Sequence, residues 1–89
     1  MDEQHQEDLL DFPCDYMFKA FGPNSGAFVE AVRENIATIV PAPLDAVKIR
    51  PSKEGTYVCV SVLVQLHNFD QLKAIYALLR RVDGLKYLL

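Results

Sequence analysis

Thr56-Tyr57-Val58-Cys59-Val60-Ser61-Val62-Leu63-Val64-Gln65-Leu66 runs directly into His67-Asn68-Phe69-Asp70-Gln71-Leu72-Lys73-Ala74-Ile75-Tyr76-Ala77-Leu78-Leu79. At the junction the hydrophobic repeat changes from two residues to about 3.6. In the first stretch Val58, Val60, Val62, Val64 and Leu66 point one way, and Tyr57, Cys59, Ser61, Leu63 and Gln65 the other. Valine on every second position is what a central strand requires. In the second stretch Phe69, Leu72, Ile75, Tyr76 and Leu79 form one helical stripe. Asn68, with Gln71 three residues on, reads as its capping box, and Arg80 and Arg81 suit the negative end of its dipole.

Working outward, Ser52 to Gly55 turns the chain back into a strand expected over residues 44–50, where Val47 and Ile49 alternate with Lys48 and Arg50. Pro51 marks it as a sheet edge, because proline cannot donate to a ladder on both sides. Before it, Phe28, Val29, Val32, Ile36, Ile39 and Val40 recur at three and four. They predict a helix capped by Asn24 or Ser25 and ended by Pro41 and Pro43. Earlier still, a strand is expected over residues 14–21, with Tyr16, Phe18 and Ala20 toward the core and Met17, Lys19 and Phe21 on the other face. Asp83-Gly84 turns the chain into a last strand, residues 85–89.

Strand, helix, strand, strand, helix, strand in one short chain leaves few arrangements open to right-handed crossovers. The expected fold is α+β: a ferredoxin-like βαββαβ sandwich whose four-stranded antiparallel sheet has the order 4-1-3-2, with two helices on one face. The 89 residues hold one such domain, residues 13–89, behind an acidic, flexible arm of residues 1–12. Residues 1–15 carry Asp2, Glu3, Glu7, Asp8, Asp11 and Asp15 and no base, a charge of −6, and the rest of the chain carries +3. Hydrophobic residues make up 51% and charged residues 24%, too apolar for disorder. No run approaches the roughly 20 apolar residues of a membrane span and no signal segment opens the chain, so a cytoplasmic location is expected.

Several residue groups carry a resemblance. They are Asp11-Phe12-Pro13, Phe18-Lys19-Ala20-Phe21-Gly22, the hairpin Lys53-Glu54-Gly55-Thr56-Tyr57 leading to Val60-Ser61-Val62, and Asp83-Gly84-Leu85-Lys86-Tyr87-Leu88-Leu89. Together they resemble the YbeD-like family of small, uncharacterised bacterial proteins, from Leu9 onward. The resemblance implies a ferredoxin-like fold similar to the ACT regulatory domain, with an unassigned biochemical role. In ACT domains the loop after the first strand helps bind an amino acid at a subunit interface. The matching stretch here is Gly22-Pro23-Asn24-Ser25-Gly26-Ala27-Phe28, where Ser25-Gly26 replaces the usual proline-glycine pair. Gly22, Asn24, Ser25 and Gly26 are thus candidate ligand residues, since glycines admit a close backbone approach and helix N-terminal amides attract anions. A tight turn with a helix cap explains the same residues without a ligand.

The sheet face opposite the helices is the second candidate. It is expected to present Met17, Lys19 and Phe21 beside Tyr57, Cys59, Ser61 and Leu63, with Lys48, Arg50, Lys86 and Leu88 on the flanks. An apolar centre with a charged rim is how protein interfaces are built, so a protein partner or a second copy of the chain leads. RNA is the lesser reading: Lys53-Glu54-Gly55-Thr56-Tyr57-Val58-Cys59 offers only Tyr57 to stack on a base. A third reading covers the face with Leu9, Leu10 and Phe12 of the acidic arm.

No catalytic constellation accompanies the fold. Cys14 and Cys59 lie near opposite ends of adjacent strands, too far apart for a disulfide. With only His5 and His67 beside them, neither a zinc site nor a base for a thiol nucleophile is formed. Cys59 beside Lys19 would be the one reactive candidate. The reading is therefore not an enzyme but a small cytoplasmic regulatory or protein-interaction module, using its open sheet face or edge strands and needing no cofactor or metal. The alternative is an ACT-like small-molecule sensor using the 22–28 loop.

Overall fold

β1 (Cys14–Pro23) and β3 (Tyr57–Leu66) pair antiparallel along their whole length in a computed structural model describing residues 10–89. Cys14 lies opposite Leu66 and Pro23 opposite Tyr57. β2 (Val47–Pro51) adds outside β3 and β4 (Tyr87–Leu88) outside β1, giving the order β2-β3-β1-β4. That is the expected 4-1-3-2 sheet read from its other edge. Asp2, Glu3, Glu7, Asp8 and Leu9, on which much of the acidic-arm reading rests, lie outside the described residues.

The helices α1 (Gly26–Ala37) and α2 (Phe69–Leu79) cover one face. Phe28, Val32 and Ile36 of α1 and Phe69, Leu72, Ile75 and Leu79 of α2 close over Phe18, Ala20 and the valines of β3. Burying such side chains stabilises by about 1.5–3 kcal/mol each, and among the described residues no polar or charged side chain is buried with them. Leu10 and Phe12 also pack against this core. Ser25 Oγ accepts from Phe28 N–H at 3.1 Å to cap α1. Asn68 Oδ1 accepts from Gln71 N–H at 2.9 Å to cap α2, but Gln71 Oε1 returns its bond to His67 N–H at 2.8 Å, one residue earlier than a capping box requires. On α1, Arg33 pairs with Glu30, whose carboxyl it holds below the usual carboxylate range, and donates to Ala42 C=O at 3.0 Å. That bond ties the helix to the proline segment behind it.

Further local expectations need correction. Residues 44–46 form a 3-10 turn instead of the start of β2, with Ala46 N–H donating to Pro43 C=O at 3.0 Å. Pro41 and Pro43 bend the chain away from α1, and pairing begins only where Val47 meets Val62. The final strand is also shorter: Tyr87 pairs with Phe21 and Leu88 with Ala20, so Leu88 faces the core and Tyr87 the open face.

Tyr16, Phe18 and Tyr76 form an aromatic cluster at one side of the core. The Phe18 ring lies 4.8 Å from that of Tyr16 and 5.0 Å from that of Tyr76, and the Tyr16 and Tyr76 hydroxyls are hydrogen-bonded at 2.8 Å. Burial, then the bond to Tyr16, pushes the Tyr76 phenol well above its ordinary value. The folded chain thus keeps a proton that unfolded tyrosine releases near pH ~10. This contribution is complete below that pH and is lost as pH rises toward the folded value. Urea titrations from pH 8 to 11 are expected to show an alkaline loss of stability that Tyr76→Phe reduces. At neutral pH the same variant costs about 1 kcal/mol through the lost hydroxyl pair. An unchanged alkaline limb in the variant would assign the effect elsewhere.

Candidate functional site

Because side chains alternate across a strand, the registers that bury Phe18 and the β3 valines turn the intervening residues to the bare side of the sheet. Met17 stands opposite Leu63, Lys19 opposite Ser61 and Phe21 opposite Cys59. β2 sets Lys48 beside Ser61 and Arg50 beside Cys59, while β4 sets Tyr87 beside Phe21. Two rows cross the strands: Lys48, Ser61, Lys19 and then Leu89, which exchanges two backbone hydrogen bonds with Lys19, and below it Arg50, Cys59, Phe21 and Tyr87.

Strand twist makes this face a groove of about 740 Å³ lined by Met17, Lys19, Phe21, Lys48, Arg50 and Tyr57, among others. Its large apolar groups lie in water: Met17 is 42% exposed, Tyr57 46%, Leu63 47% and Tyr87 59%. The Phe21 and Tyr87 rings meet at 5.5 Å, and Lys86 Nζ sits 5.8 Å over the Tyr57 ring. Cys59 Sγ lies 3.9 Å from Ser61 Oγ. Among the described residues no Asp or Glu side chain lines the groove.

Of the eleven residues expected on this face, ten meet there; Leu88 does not, because it pairs with the buried Ala20 and turns to the core. Lys86 arrives there indirectly: it precedes the paired part of β4, and its long side chain reaches round to Tyr57. Tyr87, assigned no place on the face from sequence, lies on it at the β4 edge, against Phe21. Leu85 to Leu89 is apolar throughout except for Lys86, so alternation could not fix which residues face out. No hairpin joins β4 to β1, so no local turn in the sequence sets the pairing of Tyr87 with Phe21. Cys59 has Phe21 and Arg50 as direct cross-strand neighbours, with Lys19 one pair further along.

The 22–28 loop is held by its own chain. Gly22 is buried beneath the Phe28 ring, which occupies the space a side chain would take. Asn24 Nδ2 donates to Gly55 C=O at 2.9 Å and Asn24 N–H to Thr56 C=O at 3.1 Å, fastening the loop to the β2–β3 hairpin. Ser25 Oγ serves as the α1 cap, and a side chain at Gly26 would meet nothing within 4 Å. Cys14 and Cys59 are free thiols at opposite ends of the β1–β3 ladder. Among the described residues no group of three or more His, Cys, Asp or Glu side chains could hold a metal ion, and no helix is long and apolar enough to cross a membrane.

Known proteins share both the sequence and this architecture. A UPF0250 protein of Idiomarina loihiensis is 27% identical over 89 residues, covering 100% of both chains. One from Vibrio parahaemolyticus is 30% identical over 83 residues, covering 93% of this chain and 89% of its own. Among solved structures, HP0495 from H. pylori matches with a TM-score of 0.72 and 14% identity, covering 100% of this chain and 94% of that one. The ACT domain from the GTP pyrophosphokinase of Chlorobium tepidum matches with a TM-score of 0.60 and 14% identity, covering 85% and 97%. At that identity the likeness is one of fold, and it is the ferredoxin-like, ACT-like fold. Residues 7–89 match the family described as "Protein of unknown function (DUF493)". The chain therefore belongs to the DUF493 family, alongside the UPF0250, or YbeD-like, proteins.

Proposed function

We propose that this protein is a small cytoplasmic regulatory module that acts by binding another protein on its open sheet face, and not by catalysis. The observation supporting this is the set of half-exposed apolar side chains Met17, Phe21, Tyr57, Leu63 and Tyr87 gathered on one face, with Lys19 among them on β1, Lys48 and Arg50 on the edge strand β2, and Lys86 over the Tyr57 ring. Large apolar side chains gathered on one face, with charges at the rim, mark interaction surfaces. The alternative, an amino-acid sensor at the 22–28 loop, has less to work with, because Asn24 and Ser25 already bond to the chain itself.

The triple variant Lys19→Glu, Lys48→Glu, Arg50→Glu tests the reading. All three side chains are exposed, so the variant is expected to fold with each change costing within about 0.5 kcal/mol, checked by circular dichroism and urea unfolding. Capture from bacterial extract is expected to lose the partner by at least about tenfold relative to the wild type and to a control carrying Lys73→Glu and Arg81→Glu. Equal capture by all three proteins would remove the face from consideration.

A further inference from the structure

The open face is cationic as well as apolar. Lys19, Lys48, Arg50 and Lys86 are all exposed, and among the described residues no carboxylate forms an ion pair with any of them. Ion pairs among the described residues lie on the helices instead, Glu30 with Arg33 and Asp70 with Lys73. Lys48 and Lys19 flank Ser61 in one row, and Arg50 begins the next. Met17 and Leu63 form an aliphatic pair beside them.

We infer that the groove receives an acidic peptide segment of a partner protein, with an aliphatic anchor on Met17 and Leu63 and carboxylates on Lys19, Lys48 and Arg50. The inference rests on the open-face reading above and adds the partner's chemistry. A second copy of the chain fits poorly, since two-fold packing of this face sets the cationic patch against itself, and apposed like charges oppose association. RNA also fits poorly. Recognition of single strands on such a sheet needs free aromatic planes on the central strands. Phe18 instead lies in the core, Phe21 meets the Tyr87 ring, and Tyr57, with Lys86 Nζ 5.8 Å from its ring, is left as a single half-exposed plane on β3. An anionic partner with aliphatic groups satisfies both the charges and the exposed Met17–Leu63 pair.

The test uses the full chain and three labelled probes: a short peptide of Glu, Asp, Leu and Phe, the same peptide with Lys for every acid, and an oligouridine. Fluorescence anisotropy is expected to show binding of the acidic peptide alone, weakening with added salt. Lys19→Glu with Lys48→Glu is expected to reduce its affinity at least about tenfold. Met17→Ser is expected to weaken it at all salt concentrations, and amide shifts are expected to map to residues 17–21, 48–50 and 57–63. Preference for oligouridine, equal binding of the lysine peptide, or shifts confined to residues 22–28 would overturn the inference. So would concentration-dependent dimerisation abolished by Lys19→Glu. If the acidic peptide fails while capture of a protein still depends on Lys19, Lys48 and Arg50, the inference falls and the broader reading stands.

Discussion

Phe18→Ala is expected to destabilise the protein by about 3–5 kcal/mol, the range for removing a fully buried phenylalanine. Phe18 has no exposed surface, occupies the middle of β1 opposite Val62, and joins the Tyr16 and Tyr76 rings into one cluster. A domain of this length holds on the order of 5–13 kcal/mol in total, so the substitution removes a large share of it. The urea midpoint is expected to fall with an unchanged slope, and the thermal midpoint to drop on the order of 20 °C. Phe18→Leu keeps most of the volume and is expected to lose much less. A cost below about 1 kcal/mol for Phe18→Ala would mean that this strand does not sit under both helices.

Gly22→Ala is the second large effect, and it arises from one methyl group. A Cβ at Gly22 would lie 2.5 Å from Phe28 Cε1 and 2.8 Å from Cε2, with Cζ closer still. Phe28 is itself 3% exposed, so its ring cannot swing into solvent and the clash is absorbed by α1 shifting off the sheet. Overpacking of this kind costs about 1–3 kcal/mol. Phe28→Ala alone is expected to cost about 3–5 kcal/mol. Combined, the two are expected to be less damaging than their sum by about 1–3 kcal/mol, because the small side chain at 28 leaves room for the new methyl. Urea midpoints of the four proteins give this coupling directly, and strict additivity would disprove the Gly22–Phe28 contact.

That contact also shows where sequence reading stops. Gly22 was expected to keep the backbone accessible to a ligand, and the space is filled by a residue six positions later. Glycine announces that something approaches closely, not what does. The fold itself was legible because β3 and α2 have clear and different periods, and the caps at Ser25 and Asn68 lie at the junctions. The members of the open face followed from alternation in β1 and β3, whose buried sets are unambiguous. Alternation says little where the pattern is degenerate, as in Leu85 to Leu89, and where proline geometry overrides β propensity, as at Leu44 to Ala46. The tyrosine pair Tyr16–Tyr76 joins residues 60 apart, and no local signal marks it.

The long β1–β3 ladder sets the order in which this molecule can be assembled on the ribosome. β2 and β3 are joined by a short hairpin and can pair soon after both emerge. β1 has no such neighbour: its main partner is completed only at Leu66, roughly 40 residues after β1 itself ends. At about 5–20 residues per second, synthesis leaves β1 waiting on the order of 2–9 s with Phe18, Ala20 and Phe21 uncovered. One of the two central strands of the finished sheet is thus made well before the partner that covers it.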